Sequence, residues 1–200
     1  TAHVASIEDT DRAIARVGGV PCVVKATEGT QGSSVFLIHN HQQAHQLVQQ
    51  MLERGMRPLV QTYIEESHGQ DIRVLVVGGK VIAAMRRRAS GSEFRSNFHL
   101  GGRVERIHLS EQHISVALTA ANILGMDIAG VDMLESRDGP LVLEVNSSPG
   151  LEGIEGASGV NVAAAVAQHL DARLSAVREQ GRAEAQLPDE TAPDNTLLTE

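Results

Sequence analysis

Aromatic residues are almost absent from this sequence. Its 200 residues contain no Trp, one Tyr and three Phe, so a core must be built from aliphatic side chains. Single-stranded nucleic acid is usually held by stacking its bases on aromatic rings, and a net charge of −8 repels a phosphate backbone. These two properties predict that the protein does not bind nucleic acid.

Cysteine and long apolar runs are also scarce. The single cysteine, Cys22, excludes an internal disulfide and is typical of a reducing compartment. No apolar run approaches the roughly 18 residues that a membrane span requires, and no signal peptide opens the chain. We therefore expect a cytoplasmic protein that does not bind a membrane. Because the first residue is Thr1 and not an initiator Met, we also expect a fragment of a longer protein.

Apolar residues make up 42% of the chain and fall into alternating helical and extended patterns. Hairpins interleaved with helices imply α+β layers and not a doubly wound sheet. The predicted hairpins are 71–77 with 80–87 and 128–135 with 141–146. The predicted helices are a first one between Ser6 and Gly18, and then 41–54, 110–124 and 160–178.

Two carboxylates and an amide in the second hairpin are the strongest chemical signal, because Glu144 and Asn146 are two apart on a strand and share one face. A two-residue Asp138-Gly139 turn would pair Arg137 with Pro140 and set Asp132 opposite Val145, on the other face. A three-residue turn, with Gly139 in the left-handed position, sets Asp132 opposite Glu144. We choose the second turn because it gathers three oxygen ligands, which suit Mg²⁺ or Mn²⁺ shared with phosphates. The alternative is an edge hairpin whose solvent face happens to be acidic.

Lys25 stands near the end of a buried apolar strand, PCVVKA (21–26). An unpaired buried ammonium is costly, so this lysine needs an anionic partner. The polar loop that follows, with Gly29 and Gly32, can turn backbone N–H groups toward phosphate oxygens. A plain hairpin turn is the alternative, since the loop is neither a Walker A motif nor a dinucleotide fingerprint.

A basic cluster lies within this otherwise acidic sequence. Arginine binds carboxylates and phosphates bidentately, so the cluster suits an anionic substrate or the phosphates of a nucleotide. Asp71 is predicted opposite Arg86 across a Gly78-Gly79 turn, a pair that could be merely structural. The alternative for the whole cluster is a solvated face. Its members are Arg86, Arg87, Arg88, Arg95 and Arg103.

Five stretches of the sequence carry a family resemblance. They are VVKATEGTQG (23–32), VQTYIEESHGQDIRVLVVGG (60–79), RRASGSEFRSNFHLGG (87–102), AGVDMLES (129–136) and GPLVLEVNSSPGLEGIE (139–155). Together they resemble the ATP-grasp superfamily, and specifically the RimK-type α-L-glutamate ligases, from about residue 3 to 178. The resemblance implies an α+β ATP-grasp fold truncated at its N-terminus. Its expected parts are an N-terminal subdomain (1–62), a C-terminal subdomain (63–178) and a disordered acidic tail (179–200).

The resemblance also implies a nucleotide site and a metal site. The implied ATP-binding residues are Lys25, Gly29 and Gly32 at the phosphates, Thr62 and Tyr63 at the adenine hinge, Asp71 near the ribose, and Arg95, Ser96 and Asn97 at the nucleotide or acyl phosphate. The implied ligands of two Mg²⁺ or Mn²⁺ ions are Asp132, Glu144 and Asn146.

The sequence departs from the family pattern in three places. Thr62 stands where an acid is often found, which weakens a side-chain role there in nucleotide binding. Ser33-Ser34 stands where a further glycine is common. The family's N-terminal domain and its earlier ATP-binding lysine are absent from this chain.

The implied reaction is phosphoryl transfer from ATP to a carboxylate, followed by attack of an amine on the acyl phosphate. In RimK-type enzymes the amine is glutamate, and the acceptor is the C-terminal carboxylate of a small-subunit ribosomal protein or free glutamate; a homo-oligomer is also expected. Arg87, Arg95 and Asn97 are predicted to be catalytic, with Arg87 facing inward to hold the glutamate carboxylate. The alternatives are a ligase for an amino-acid carrier protein or a cofactor, and a nucleotide-binding or protein-interaction module without catalysis.

Overall fold

A computed structural model describes residues 1–27, 34–91, 93–96 and 102–185 of the chain. The predicted phosphate-binding glycines Gly29 and Gly32, and the predicted catalytic Asn97, lie outside the described residues. None of the described helices is both long enough and apolar enough to cross a membrane.

The strands between residues 2 and 62 form a four-stranded antiparallel sheet in the order β1-β4-β2-β3. Aliphatic side chains from alternate strand positions, such as Val24 and Val60, are fully buried on one face and form a core with α1 and α2. Alternation places Val23 and Lys25 on the opposite face. The elements are β1 (Ala2–His3), α1 (Thr10–Arg16), β2 (Cys22–Ala26), β3 (Val35–Ile38), α2 (His41–Glu53) and β4 (Pro58–Thr62).

The second sheet has five antiparallel strands in the order β7-β6-β5-β8-β9. One of its faces packs against α3 through a core that includes Val74, Val131 and Ala117. On the other face α4 packs on β6, where Gly153 lies against Met85. The elements are β5 (Gln70–Val77), β6 (Lys80–Arg88), β7 (Arg103–Arg106), α3 (Glu111–Ile123), β8 (Ile128–Ser136), β9 (Gly139–Asn146) and α4 (Glu152–Ser158).

The two hairpins of the second sheet were predicted in the right places, but the register of each is set by a β-bulge. In the β8–β9 hairpin Ser136 pairs with Gly139, so the turn has two residues and the predicted three-residue turn is wrong. The register then shifts by one residue at Leu143, which restores the predicted pairing of Asp132 with Glu144. A bulged residue rotates the strand locally, and bulges are common beside active sites.

The β5–β6 hairpin has its bulge at Ile82, between the pairs Leu75–Ala83 and Val76–Val81. As a result Asp71 lies opposite Arg87, and the predicted pairing of Asp71 with Arg86 is wrong. The prediction failed because it counted from the Gly78-Gly79 turn without the extra residue.

The last helix, α5, runs from Val162 to Ala185 and exposes Leu170, Leu174 and Val177. Disorder was predicted from residue 179, and for residues 179–185 this prediction is wrong. Ala, Glu, Gln and Arg dominate that stretch and are strong helix formers, so they extend the helix. Residues 186–200, the rest of the predicted tail, lie outside the described residues.

By contacts, residues Thr1–Val162 form one compact unit, and the described residues from Ala163 onward fall outside it. The predicted boundary at 62/63 therefore separates the two sheets without separating two compact units. The predicted division into subdomains stays a prediction.

Candidate active site

A row of polar residues crosses three neighbouring strands on the α4 side of the second sheet. Arg73 on β5 lies directly opposite Asp132 on β8, which in turn lies opposite Glu144 on β9. Directly opposed residues share a face of the sheet, so the three side chains point the same way. Met85, which lies opposite Arg73 on β6, extends the row and shows which face it occupies, since it packs on α4.

Asp132 is held by two arginines. Arg73 donates from Nε to Oδ1 at 2.6 Å and from Nη2 to Oδ2 at 2.7 Å, a bidentate geometry. Arg87 donates from Nη2 to Oδ2 at 2.7 Å. The Asp132 side chain is only 3% exposed, so a lone charge there would be costly. The two guanidinium groups offset that cost.

Arg87 joins this carboxylate to a second one. Its Nε donates to Oδ1 of Asp71 at 2.6 Å, and its Nη2 donates to Oδ2 of the same carboxylate. Burial alone would lower the pKa of Arg87, but the hydrogen bonds and charges of Asp71 and Asp132 outweigh it and raise that pKa. Burial raises the pKa of Asp71, while Arg87 and Ser96 oppose the shift by hydrogen bonding. Asp71, Arg73, Arg87 and Asp132 thus form a charge-balanced network, hereafter the four-residue network.

Glu144 and Asn146 complete the predicted metal set at the end of β9. Asn146 donates from Nδ2 to Oε1 of Glu144 at 3.1 Å and to the carbonyl oxygen of Gly130 at 3.4 Å, which leaves its own Oδ1 as an acceptor. Gly130 is the partner of Asn146 on β8, and a Cβ there would lie 2.6 Å from Cβ of Pro149. The bare backbone of Gly130 therefore allows the 147–150 loop to pack on the sheet beside the set.

The set fits a hard divalent cation in its chemistry. Two carboxylates and one amide oxygen share a face, and Mg²⁺ commonly takes one or two carboxylates with its remaining sites filled by phosphates and water. Within the described ranges, no three His, Cys, Asp or Glu side chains form a self-sufficient metal cluster. The role of Asp132, Glu144 and Asn146 as metal ligands stays a prediction, and it requires further ligands such as phosphate oxygens or water.

Lys25 lies on the other sheet, among half-buried apolar neighbours. It pairs with Val35 on one side and Leu59 on the other, and it faces away from the aliphatic core. This half-buried face could pack against the base of a nucleotide while the ammonium group of Lys25 contacts its phosphates. Its predicted role at the ATP phosphates stays a prediction.

The two hinge residues differ in orientation. Thr62 donates from Oγ1 to the carbonyl oxygen of Val17 at 3.0 Å, so its side chain turns toward α1 and away from the Lys25 face. Only its backbone remains for the predicted adenine contact. The hydroxyl of Tyr63 bonds to Nδ1 of His68, and the two rings stand edge to face.

Arg95 is held within its own loop. It donates from Nε and Nη2 to the carboxylate of Glu93 at 3.0 and 2.7 Å, and this bond lowers the pKa of Glu93 to about 2. The 93–96 loop is attached to the residue before β5, because the N–H of Gly69 donates to the carbonyl oxygen of Phe94 at 3.2 Å. Ser96 is buried beside Asp71. A predicted phosphate contact by Arg95 or Ser96 is untested.

The structure brings part of the predicted site together. Asp71, Arg87, Ser96 and Asp132 form one buried cluster, and Glu144 and Asn146 adjoin it on β9. The sequence missed Arg73, although its position two residues after Asp71 on an alternating strand could have placed it on the same face.

These two antiparallel sheets and their helices define the ATP-grasp fold. The ATP-grasp ligase PsnB, solved with a phosphomimetic variant of a minimal precursor, Mg and ADP, matches with a TM-score of 0.64 at 26% identity, over 86% of this chain and 52% of PsnB. D-alanine–D-alanine ligase from Bacillus anthracis shares the fold, with a TM-score of 0.62 at 20% identity over 89% of this chain and 60% of that one. The chain belongs to the RimK-like ATP-grasp domain family, whose pattern matches residues 1–170. The predicted fold and family are thereby confirmed.

Curated relatives agree with this assignment. A "Probable alpha-L-glutamate ligase" of Aeromonas salmonicida is 50% identical over 175 residues, which is 88% of this chain and 59% of the relative. A protein of the same name from Legionella pneumophila is 44% identical over 182 residues, 91% of this chain and 60% of the relative. The chain therefore spans about six-tenths of the length of these relatives.

Proposed function

We propose that the protein is an ATP-dependent carboxylate–amine ligase that forms an amide bond through an acyl phosphate. The observation that carries this proposal is the opposition of Asp132 and Glu144 on one sheet face, beside Asn146 and two arginines. Membership of the RimK-like ATP-grasp family and relatives named as glutamate ligases support it.

The reaction requires anions to be brought together. A carboxylate oxygen attacks the γ-phosphorus of ATP, the bond to the β-phosphate oxygen breaks and ADP leaves. The amine then attacks the acyl carbon and releases inorganic phosphate, so no side chain need form a covalent bond. A divalent cation held by Asp132, Glu144 and Asn146 would neutralise phosphate charge in this step. Lys25 and Arg95 would add positive charge at the phosphates, and the contribution of the chain is positioning and electrostatic stabilisation.

Glutamate is the proposed amine, and a carboxylate at the end of a peptide or free glutamate is the proposed acceptor. The names of the relatives support glutamate, and a structure of PsnB with a precursor peptide supports a peptide acceptor. The C-terminus of a small-subunit ribosomal protein is the acceptor that family resemblance favours. We further propose two ions, Mg²⁺ or Mn²⁺, and a cytoplasmic homo-oligomer; Mg and ADP in PsnB support the use of magnesium.

The proposal is tested by ADP release from the full-length protein, with a panel of amino acids and acceptors. We expect ADP release that requires Mg²⁺ and glutamate, together with a product one glutamate heavier than the acceptor by mass spectrometry. Release that is independent of any amino acid would point to an ATPase, and no nucleotide turnover with tight ATP binding would point to a binding module. Preference for another amino acid would retain the ligase and overturn the choice of glutamate.

A further inference from the structure

The carboxylate of Asp132 accepts hydrogen bonds from two arginines. A carboxylate has about four lone-pair positions, two on each oxygen. Arg73 and Arg87 together donate three hydrogen bonds to it, one to Oδ1 and two to Oδ2. One position, on Oδ1, is left for a metal ion, and it lies beside the Nε of Arg73. A divalent cation at that position would lie next to the guanidinium of Arg73, and the two positive charges would repel each other.

The two arginines are not equally free to leave. Arg87 is held by a second carboxylate, Asp71, through two hydrogen bonds, and its side chain is 6% exposed. Among the described residues, both side-chain hydrogen bonds of Arg73 go to Asp132, and that side chain is 14% exposed. Detaching Arg73 therefore breaks contacts to one partner only.

We propose that Arg73 is a positioning residue that exchanges with the metal ion on Asp132. Without metal, its guanidinium neutralises Asp132 and fixes the carboxylate on the sheet face. When the metal ion binds, Arg73 releases Asp132 while Arg87 stays in place and keeps the carboxylate oriented. This inference rests on the metal site of the proposed function.

The charges of the network fit this exchange. Two arginines and two aspartates balance while the metal is away, so the buried carboxylates are never left unpaired. Replacing Arg73 by a metal ion keeps Asp132 compensated. Glu144, which lies opposite Asp132 with an exposed side chain, supplies the second carboxylate that a metal ion needs and that Arg73 does not contact.

The first test is Mn²⁺ affinity, measured by electron paramagnetic resonance on the full-length protein with ADP. Arg73→Lys loses the bidentate hydrogen bonding to Asp132. Because it keeps the positive charge, the long-range electrostatics of the site stay the same. We expect Arg73→Lys to bind Mn²⁺ roughly ten-fold more tightly, the equivalent of one charged hydrogen bond that no longer competes. Arg88→Lys is the matched control, because Arg88 is an exposed neighbour bonded to Glu105 and Gln70, and it should leave Mn²⁺ affinity unchanged.

A second test uses the wild-type protein and so does not depend on a variant that folds. The Nε–H groups of arginine give separate NMR signals, and Mg²⁺ added with ADP should shift that of Arg73, which is bonded to Asp132. The Nε–H of Arg87 is bonded to Asp71 and serves as the internal control, since the exchange leaves that bond intact.

The outcomes separate this inference from the proposed function. Mn²⁺ bound by the wild type with equal or weaker affinity in Arg73→Lys, or an unmoved Arg73 signal, would overturn the exchange and leave the ligase proposal intact. Absence of any Mn²⁺ binding to the wild type with ADP would overturn the metal site and the ligase proposal with it. Tighter binding in Arg73→Lys alone, with a shifted Arg73 signal, would establish the exchange whichever amino acid the enzyme uses.

Discussion

The hydroxyl of Ser67 makes two hydrogen bonds to the backbone of Glu135: its Oγ accepts from the N–H at 2.8 Å and donates to the carbonyl oxygen at 2.8 Å. Ser67 is buried in the short 3₁₀ helix that precedes β5, and Glu135 lies near the end of β8. The Ser67 side chain therefore bonds the backbone of Glu135 as a neighbouring strand would, and it attaches the Glu65–Ser67 turn to the second sheet.

Replacing Ser67 by Ala should lower the free energy of unfolding by about 1–3 kcal/mol, because both backbone groups of Glu135 lose their partner. Urea unfolding followed by circular dichroism measures this. Ser147→Ala, at an exposed serine, is the control and should stay within about 0.5 kcal/mol of the wild type. Equal stability of the two variants would show that water replaces the hydroxyl at Glu135.

Arg87→Ala should destabilise the fold; the sequence-based expectation that Arg87 binds the glutamate carboxylate stays a prediction and gives a different outcome. Arg87 is buried and paired with two carboxylates, so its removal leaves Asp71 and Asp132 close together without their shared cation. Breaking a buried ion pair in this way costs roughly 3–5 kcal/mol. Arg88→Ala removes an exposed pair and should cost about 1 kcal/mol or less.

Thermal unfolding and glutamate kinetics together distinguish these two roles of Arg87. A stable Arg87→Ala protein with a raised KM for glutamate and an unchanged KM for ATP would restore the role in substrate binding. A lowered Tm, with little change in the KM of the remaining active fraction, is the result we expect.

Glu144→Gln should weaken Mn²⁺ binding and abolish ligation without altering the fold. The substitution removes a charge at constant shape, and Glu144 is exposed, so little stability depends on it. Mn²⁺ binding in the presence of ADP and a thermal melt are the two measurements. Glu111→Gln, at an exposed acid in the first turn of α3, is the control; an equal effect on metal affinity in both variants would falsify the assignment of Glu144.

Gly69→Ala should damage both stability and nucleotide binding. Gly69 has a φ of +66°, which costs a side chain about 1–2 kcal/mol, and an added Cβ would lie 2.9 Å from the carbonyl oxygen of Glu93. The loop that carries Arg95 and Ser96 would have to move away from residue 69. Gly79→Ala is the matched control, because its φ is +71° but its Cβ would meet nothing within 4 Å.

Isothermal titration with a non-hydrolysable ATP analogue separates the two glycines. Both variants should lose stability, and only Gly69→Ala should also lose affinity for the analogue. Wild-type affinity in Gly69→Ala would mean that the 93–96 loop takes no part in nucleotide binding.

Side-chain alternation along a strand predicted correctly which residues of this site share a face. Counting residues across the turns did not predict how the strands pair. Glu144 and Asn146 share a face because they are two apart on one strand, a property that needs no knowledge of the rest of the fold. The pairing of Asp132 with Glu144 is confirmed, but for a different reason from the one given. Without the extra residue Leu143, the observed two-residue turn would pair Glu144 with Val131, on the face that packs against α3.

The same physical reason explains the error at Asp71. A bulge inserts one unpaired residue, and Ile82 and Leu143 are ordinary apolar strand residues that do not signal one in the sequence. The orientation of Thr62 could not be foreseen either, because it depends on a hydrogen bond to Val17, which is 45 residues away. Long-range pairings of this kind arise only when the whole sheet forms.

The burial of the four-residue network has a consequence for ionic strength. At 1 M salt the screening length is about 3 Å, so exposed pairs such as Arg88–Glu105 are largely screened. Dissolved ions cannot enter between Arg87 and Asp71 in the same way, since both side chains are only 6% exposed. Strong salt should therefore weaken the exposed pairs while the arrangement of Asp132 on the sheet persists. A ligation rate that recovers fully when strong salt is diluted away would be the kinetic sign of a site whose charges are neutralised from within.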